Sequence, residues 1–92
     1  MGRSRMTILY SGRVQGVGFR YNAKSVAMGY DVAGTVRNLS DGRVELVAEG
    51  ERAELESFRQ AVRDSGLERI IRDEAVTCEP ARGGFRGFEI VS

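Results

Sequence analysis

The residues best suited to chemistry lie in a glycine-rich stretch, SGRVQGVGFRYN, at positions 11–22. Glycine accepts positive φ angles and lets another group approach the backbone closely. A loop that feeds a helix N-terminus can hold a phosphate through backbone N–H groups and the partial positive charge of the helix end. We call residues 15–20 the glycine loop; its members are Gln15, Gly16, Val17, Gly18, Phe19 and Arg20.

Arg20 strengthens the interpretation of the glycine loop as a phosphate site. Its planar guanidinium carries a fork of donors that matches two phosphate oxygens. The loop lacks the G-K-[ST] ending of a P-loop and the third glycine of the dinucleotide-binding fingerprint, so a nucleotide site is not indicated. From the residues alone, a phosphate cradle and a plain tight turn between a strand and a helix carry about equal weight.

Asn38 is the second candidate for a chemical role. It falls in phase with Val32 and Val36, on the inward face of a predicted strand and near the end of that strand. A polar amide in that position must be hydrogen-bonded or presented to a ligand. Asparagine also caps hairpin turns often, so a capping role and a functional role carry similar weight here.

Composition removes several kinds of chemistry. The chain has no histidine and one cysteine, so it cannot assemble Ser/His/Asp or Cys/His catalysis, an internal disulfide or the usual transition-metal site. We therefore expect no metal and no cofactor. Cys78 lies in the alternating segment 75–79, where a small buried thiol with a structural role is the expected outcome.

Length and charge indicate one small domain that acts on a small molecule. The 92 residues are 41% hydrophobic and 29% charged, with a formal net charge of +1. A chain this short supports one core, and its near-neutral charge does not favour a nucleic acid. We expect one domain over residues 1–92, with a flexible N-terminus at 1–4, acting as a monomer. Without a long apolar run or a signal-peptide pattern, we expect a cytoplasmic protein that does not contact membranes.

The elements that must position these residues follow a simple order. Strand periodicity marks residues 5–11, 31–38, 43–49, a segment between 70 and 79, and a short closing segment at 85–91. Helical periodicity marks residues 21–28 and 51–65. The order β-α-β-β-α-β, with a possible short extra C-terminal strand, predicts an α+β ferredoxin-like sandwich, in which an antiparallel sheet carries two helices on one face.

Two long motifs in register give the chain a resemblance to the acylphosphatase family. They are GRVQGVGFR at 12–20 and GYDVAGTVRNLSDGRVE at 29–45. The resemblance implies a metal-free hydrolase that splits the carboxyl-phosphate anhydride of acyl phosphates into a carboxylate and inorganic phosphate, which is both product and inhibitor. By this similarity Arg20 and Asn38 are the catalytic residues: Arg20 binds the phosphate, Asn38 positions the attacking water, and the glycine loop lends backbone donors.

Two alternatives stand beside this prediction. One is a non-catalytic acylphosphatase-like module that has kept its anion site. The other is an RNA-binding ferredoxin-like module, which the segment RGGFRGF at 82–88 faintly suggests. That segment lacks the full pattern of an RNA-contacting strand, and the near-neutral charge does not favour RNA.

Overall fold

The computed structural model describes residues 2–92, which form five strands and two α-helices. In chain order these are β1 Ser4–Gly12, α1 Phe19–Ala27, β2 Ala33–Asn38, β3 Val44–Gly50, α2 Arg52–Val62, β4 Ile71–Pro80 and β5 Phe88–Ile90. A short π-helical segment, Arg63–Leu67, joins α2 to β4. The predicted α+β order is confirmed, including the short extra strand at the C-terminal end.

The strands form one sheet in the order β4-β1-β3-β2-β5. The pairs β1–β3, β1–β4 and β2–β3 are antiparallel, as expected for the ferredoxin-like sandwich, whereas β5 adds to the β2 edge as a parallel strand. Tyr10 near the end of β1 and Asn38 at the end of β2 both pair with Val44 of β3. The carboxyl ends of β1 and β2 therefore lie at the same end of the sheet.

The core lies between one face of the sheet and the two helices. Alternate residues of a strand point to the same face, and helix residues three and four apart share a face. The buried residues that these periods predict are Met6, Ile8 and Tyr10 of β1 and Leu55, Phe58 and Val62 of α2, and all six are buried. β5 joins the same core through Phe88, whose ring lies 5.6 Å from that of Phe58. Over residues 2–92, no helix is long and apolar enough to cross a membrane.

Both helices have boundaries that differ from the predicted ones. α1 begins at Phe19, two residues earlier than predicted, because Gly18 adopts a left-handed conformation (φ 81°) and its carbonyl accepts the Asn22 N–H at 2.9 Å. Arg20 consequently lies in the first turn of α1. α2 ends at Val62 rather than at residue 65, and the chain then turns through Gly66 with a φ of 99°.

The prediction that Cys78 is buried is wrong, because its side chain is exposed. It pairs with Met6 of β1, but β4 is the outer strand on that side of the sheet. Alternation along an outer strand does not tell whether a second layer covers it. At the N-terminus, Met1 lies outside the described residues, so the predicted flexible segment 1–4 is described only in part; Ser4 is the first residue of β1.

Candidate functional site

The glycine loop connects β1 to α1 and is anchored at both ends by buried side chains. Val14, directly before the loop, and Phe19 are each at most 2% exposed, and the Phe19 ring lies 4.7 Å from the Tyr10 ring. Between these anchors Gly16 and Gly18 are exposed and have φ angles of 76° and 81°. A Cβ at either glycine would meet no atom within 4 Å, so positive φ rather than crowding calls for glycine here.

Arg20 lies in the first turn of α1 and is half-buried. Within residues 2–92 it forms no ion pair, whereas seven other arginines do. The first turn also contains no acidic residue. A guanidinium beside the partial positive charge of a helix N-terminus is unfavourable on its own, and an anion held between the two removes that cost.

Asn38, at the end of β2, has an unsatisfied carboxamide oxygen. Its Oδ1 is buried and has no hydrogen-bond partner in the described part of the chain. Other groups close the β2–β3 turn: Leu39 and Gly42 donate their N–H groups to the carbonyls of Arg43 (2.8 Å) and Leu39 (3.2 Å), and Asp41 accepts the Arg43 N–H (3.1 Å). The capping alternative for the Asn38 side chain therefore has no support in these contacts.

The side chain of Gln15 joins the glycine loop to this turn. Its Nε2 donates to the carbonyl oxygens of Leu39 (2.7 Å) and Arg43 (2.9 Å). The glycine loop and the end of β2 that carries Asn38 thus meet at one end of the sheet. The sequence pointed to Gln15 for its backbone N–H alone; an amide side chain within a loop of glycine and apolar residues was the only signal for the further contact.

Three arginines line a cavity beside the residues that precede the glycine loop, on the β4 side. A cavity of about 480 Å³ lies where β1 meets β4, and its lining includes Arg13, Arg69 and Arg72. None of these three forms an ion pair within residues 2–92. Three arginines without an ion pair therefore lie together here, although the net charge of the chain is only +1, and their charges favour the approach of an anion.

Tyr10 is the titratable side chain packed against the loop, through its contact with Phe19. Its hydroxyl is buried and has no hydrogen-bond partner among residues 2–92. Burial, with a smaller contribution from Glu74, raises the pKa of Tyr10 well above its ordinary value of 10. The phenol therefore stays neutral at physiological pH and cannot serve as a base.

Comparisons with known proteins agree on one family. The family model described as acylphosphatase matches residues 6–90. A curated acylphosphatase of Bacillus subtilis (strain 168) is 43% identical over 84 residues, which cover 91% of this chain and 92% of that protein. One of Acaryochloris marina is 42% identical over 85 residues, covering 88% and 86%. The crystal structure of acylphosphatase from Bacillus subtilis has a TM-score of 0.88 at 40% identity, covering 97% of this chain and 99% of that one.

Proposed function

The chain belongs to the acylphosphatase family, and on this premise we propose how its own residues divide the reaction. The protein is an enzyme that hydrolyses acyl phosphates, which are small-molecule substrates. We propose that the glycine loop and Arg20 hold the phosphoryl group and that Asn38 positions the attacking water. The observation that carries this proposal is the Asn38 carboxamide, which makes no hydrogen bond within residues 2–92 and lies at the end of the sheet that the glycine loop shares.

Phosphate binding falls to the loop and to Arg20. Phosphoryl transfer passes through a loose transition state with charge spread over three equatorial oxygens, so catalysis consists mainly of positioning and charge stabilisation. The guanidinium fork of Arg20 suits two of these oxygens, and the exposed backbone around Gly16 and Gly18 presents N–H donors. The positive end of α1 adds to both contributions.

Water positioning falls to Asn38. The Asn38 carboxamide makes no hydrogen bond within residues 2–92, so it is available for a hydrogen bond to a water. The same hydrogen bond fixes the orientation of the water, whose oxygen then attacks phosphorus opposite the carboxylate leaving group. A bond forms between the water oxygen and phosphorus, the bond between phosphorus and the acyl oxygen breaks, and the electron pair leaves with the carboxylate.

The proton of the attacking water goes to an oxygen of the substrate phosphate in this proposal. The chain has no histidine to serve as base, and Tyr10 stays neutral. A carboxylate is a good leaving group and needs no general acid, so no protein group has to change its charge. A rate that is flat from mildly acidic to neutral pH is expected, whereas a steep dependence on the titration of one protein group would contradict this route.

Hydrolysis of benzoyl phosphate in the presence of EDTA tests the division of roles. We expect the wild type to be active without added metal and Asn38→Ala to lose kcat by a factor on the order of 10², as when one positioned donor is removed. Inorganic phosphate should inhibit the wild type competitively. Asn22→Ala is the matched control, because the Asn22 side-chain amide donates to Ser65 and not to a residue of the loop. An Asn38→Ala enzyme as fast as wild type would overturn the assigned role.

We also propose that residues 1–92 act as one domain and as a monomer. One cluster of buried residues spans the sheet and both helices, and both halves of the proposed site come from the same chain. Light scattering after size exclusion, at concentrations used in the assay, should give the mass of a single chain. A stable dimer at those concentrations would contradict the proposal.

A further inference from the structure

We propose that Gln15 is a positioning residue that holds the glycine loop at a fixed distance from Asn38. The inference rests on the function proposed above and names the side chain that couples its two halves. Gln15 Nε2 lies 2.7 Å from the carbonyl oxygen of Leu39 and 2.9 Å from that of Arg43. Both distances are those of good N–H···O hydrogen bonds, and they join residues 24 and 28 positions apart.

The two acceptors are the residues that close the β2–β3 turn. Leu39 follows Asn38 directly, and its N–H donates to the Arg43 carbonyl at 2.8 Å. The Arg43 carbonyl therefore accepts from both Leu39 and Gln15, while the Leu39 carbonyl accepts from Gln15 and, at 3.2 Å, from the N–H of Gly42. A primary amide suits this place because one nitrogen supplies two hydrogens, one for each carbonyl.

This contact is the direct tie between the two halves of the site. Within residues 2–92, no other hydrogen bond joins residues 14–18 to residues 38–44. The chain just before the loop is instead fixed on the opposite side, where the Arg13 N–H donates to the Ile70 carbonyl at 3.0 Å. Without the Gln15 amide, the exposed segment with glycines at 16 and 18 would keep its buried anchors at both ends but lose its hydrogen bonds to the turn that follows Asn38.

Such a tie matters because the reaction needs the water and the phosphorus in line. A misplacement of about 1 Å between reacting groups can cost roughly 10²-fold in rate. Phosphate binding depends on groups that lie within the loop and at the start of α1, whereas attack depends on the distance from that phosphate to Asn38. Loss of the tie should therefore lower kcat more than it weakens phosphate binding.

The test is a double-mutant cycle between Gln15 and Asn38, read with benzoyl phosphate. Gln15→Met keeps the length of the side chain and removes both donors, and Gln15→Asn keeps the donors but cannot span the distance. We expect each to lower kcat about tenfold while the Ki of inorganic phosphate changes by less than about twofold. In an Asn38→Ala background the same changes should cost less than about twofold, because the group they position is gone.

The outcomes separate this inference from the function on which it rests. If Asn38→Ala alone keeps full activity, the proposed function fails. If Asn38→Ala is impaired but both Gln15 variants match the wild type, or cost as much in the Asn38→Ala background as without it, only the role of Gln15 is overturned. Asn22→Ala is again the control, since it removes an amide contact of the same kind at Ser65 and should leave kcat unchanged. Faster hydrogen exchange of the Leu39 N–H in Gln15→Met would support the tie independently of activity, and unchanged exchange would count against it.

Discussion

The chain contains two glycine-rich segments of similar composition. They differ in whether a carboxylate of the protein itself binds to them. One is the glycine loop; the other runs from residue 81 to residue 87, ARGGFRG, and we call it the C-terminal strap. Both combine arginine, phenylalanine and glycines at positive φ, which in the strap are Gly83, Gly84 and Gly87. The loop follows the end of β1, whereas the strap crosses the opposite end of the sheet, near the start of β1.

In the C-terminal strap, backbone N–H groups bind an anion that belongs to the protein, the carboxylate of Glu49. Glu49 is 4% exposed and accepts the backbone N–H groups of Arg82 (2.8 Å) and Gly83 (3.0 Å) and the Nε of Arg5 (2.7 Å). The Arg5 guanidinium also lies 4.8 Å from the ring centre of Phe85. In the glycine loop, no Asp or Glu of the described chain makes a corresponding contact. Backbone N–H groups of the strap therefore bind an internal carboxylate, whereas the glycine loop binds no carboxylate of residues 2–92.

Replacing one arginine in each segment should give the largest contrast. We expect Arg20→Lys to lower kcat/KM for benzoyl phosphate by a factor on the order of 10³, since lysine keeps the charge but loses the two-pronged contact. Arg82→Lys is the control, because its side chain pairs with exposed Glu79 and takes no part in the proposed site. Retention of more than about a tenth of wild-type activity in Arg20→Lys would weaken the comparison, as would a matching loss in Arg82→Lys.

Removing the charge of Glu49 should affect stability rather than activity. Burial alone would raise the pKa of Glu49, but the N–H of Arg82, the Arg5 guanidinium and the N–H of Gly83 outweigh it and hold the pKa below its ordinary value of 4.5. Breaking such a pair from one side costs about 3 kcal/mol, so Glu49→Gln should lower the free energy of unfolding by about that amount and leave kcat unchanged. Urea unfolding at pH 7 measures the loss.

The pH dependence of that loss gives a second readout. Because the pKa of Glu49 is lower in the folded than in the unfolded state, its stabilisation is complete above about pH 4.5 and disappears as the pH falls through the folded value. The difference between wild type and Glu49→Gln should therefore shrink on acidification. Glu79→Gln, at an exposed pair, should change stability by less than about 0.5 kcal/mol. A difference for Glu49→Gln that stays constant down to pH 3 would contradict the assignment.

Alanine in place of one glycine in each segment should give the smallest effect. Gly18 and Gly83 have nearly equal φ angles, 81° and 80°, and a Cβ at either would meet no atom within 4 Å. Each substitution should thus cost about 1 kcal/mol of stability through backbone strain alone. Only Gly18→Ala should also raise the Ki of inorganic phosphate, and equal effects of both variants on Ki would remove the functional distinction between loop and strap.

The sequence predicts those parts of the structure in which apolar residues repeat at the spacing of a strand or of a helix. Met6, Ile8 and Tyr10 are buried because alternate residues of β1 face the helices, and α2 buries the face that its 3.6-residue period defines. Arg20 and Asn38 stood out as candidates for a similar reason: one ends a glycine-rich stretch, and the other is a polar residue in an inward-facing phase.

The parts that could not be predicted depend on which strands become neighbours. Gln15 reaches Leu39 because β3 lies between β1 and β2 and pairs with both, which brings their carboxyl ends to the same end of the sheet. Glu49 is in an alternating strand and, by its phase, faces away from the helices; it is buried because a segment 33 residues later folds across it. Cys78 is exposed for the converse reason, since its outer strand is not fully covered.

The parallel pairing of β5 with β2 bears on how the protein avoids aggregation. Val36, in the middle of β2, pairs with Ile90, and further backbone hydrogen bonds join Gly34 to Gly87 and Val91 to Val36. Without β5, the strand that carries Asn38 would present its unpaired N–H and C=O groups to other copies of the chain. The new outer strand is only three residues long and carries Glu89, so it offers a poor template for intermolecular pairing. β5 thereby covers the outer side of β2 and limits its pairing with other copies of the chain.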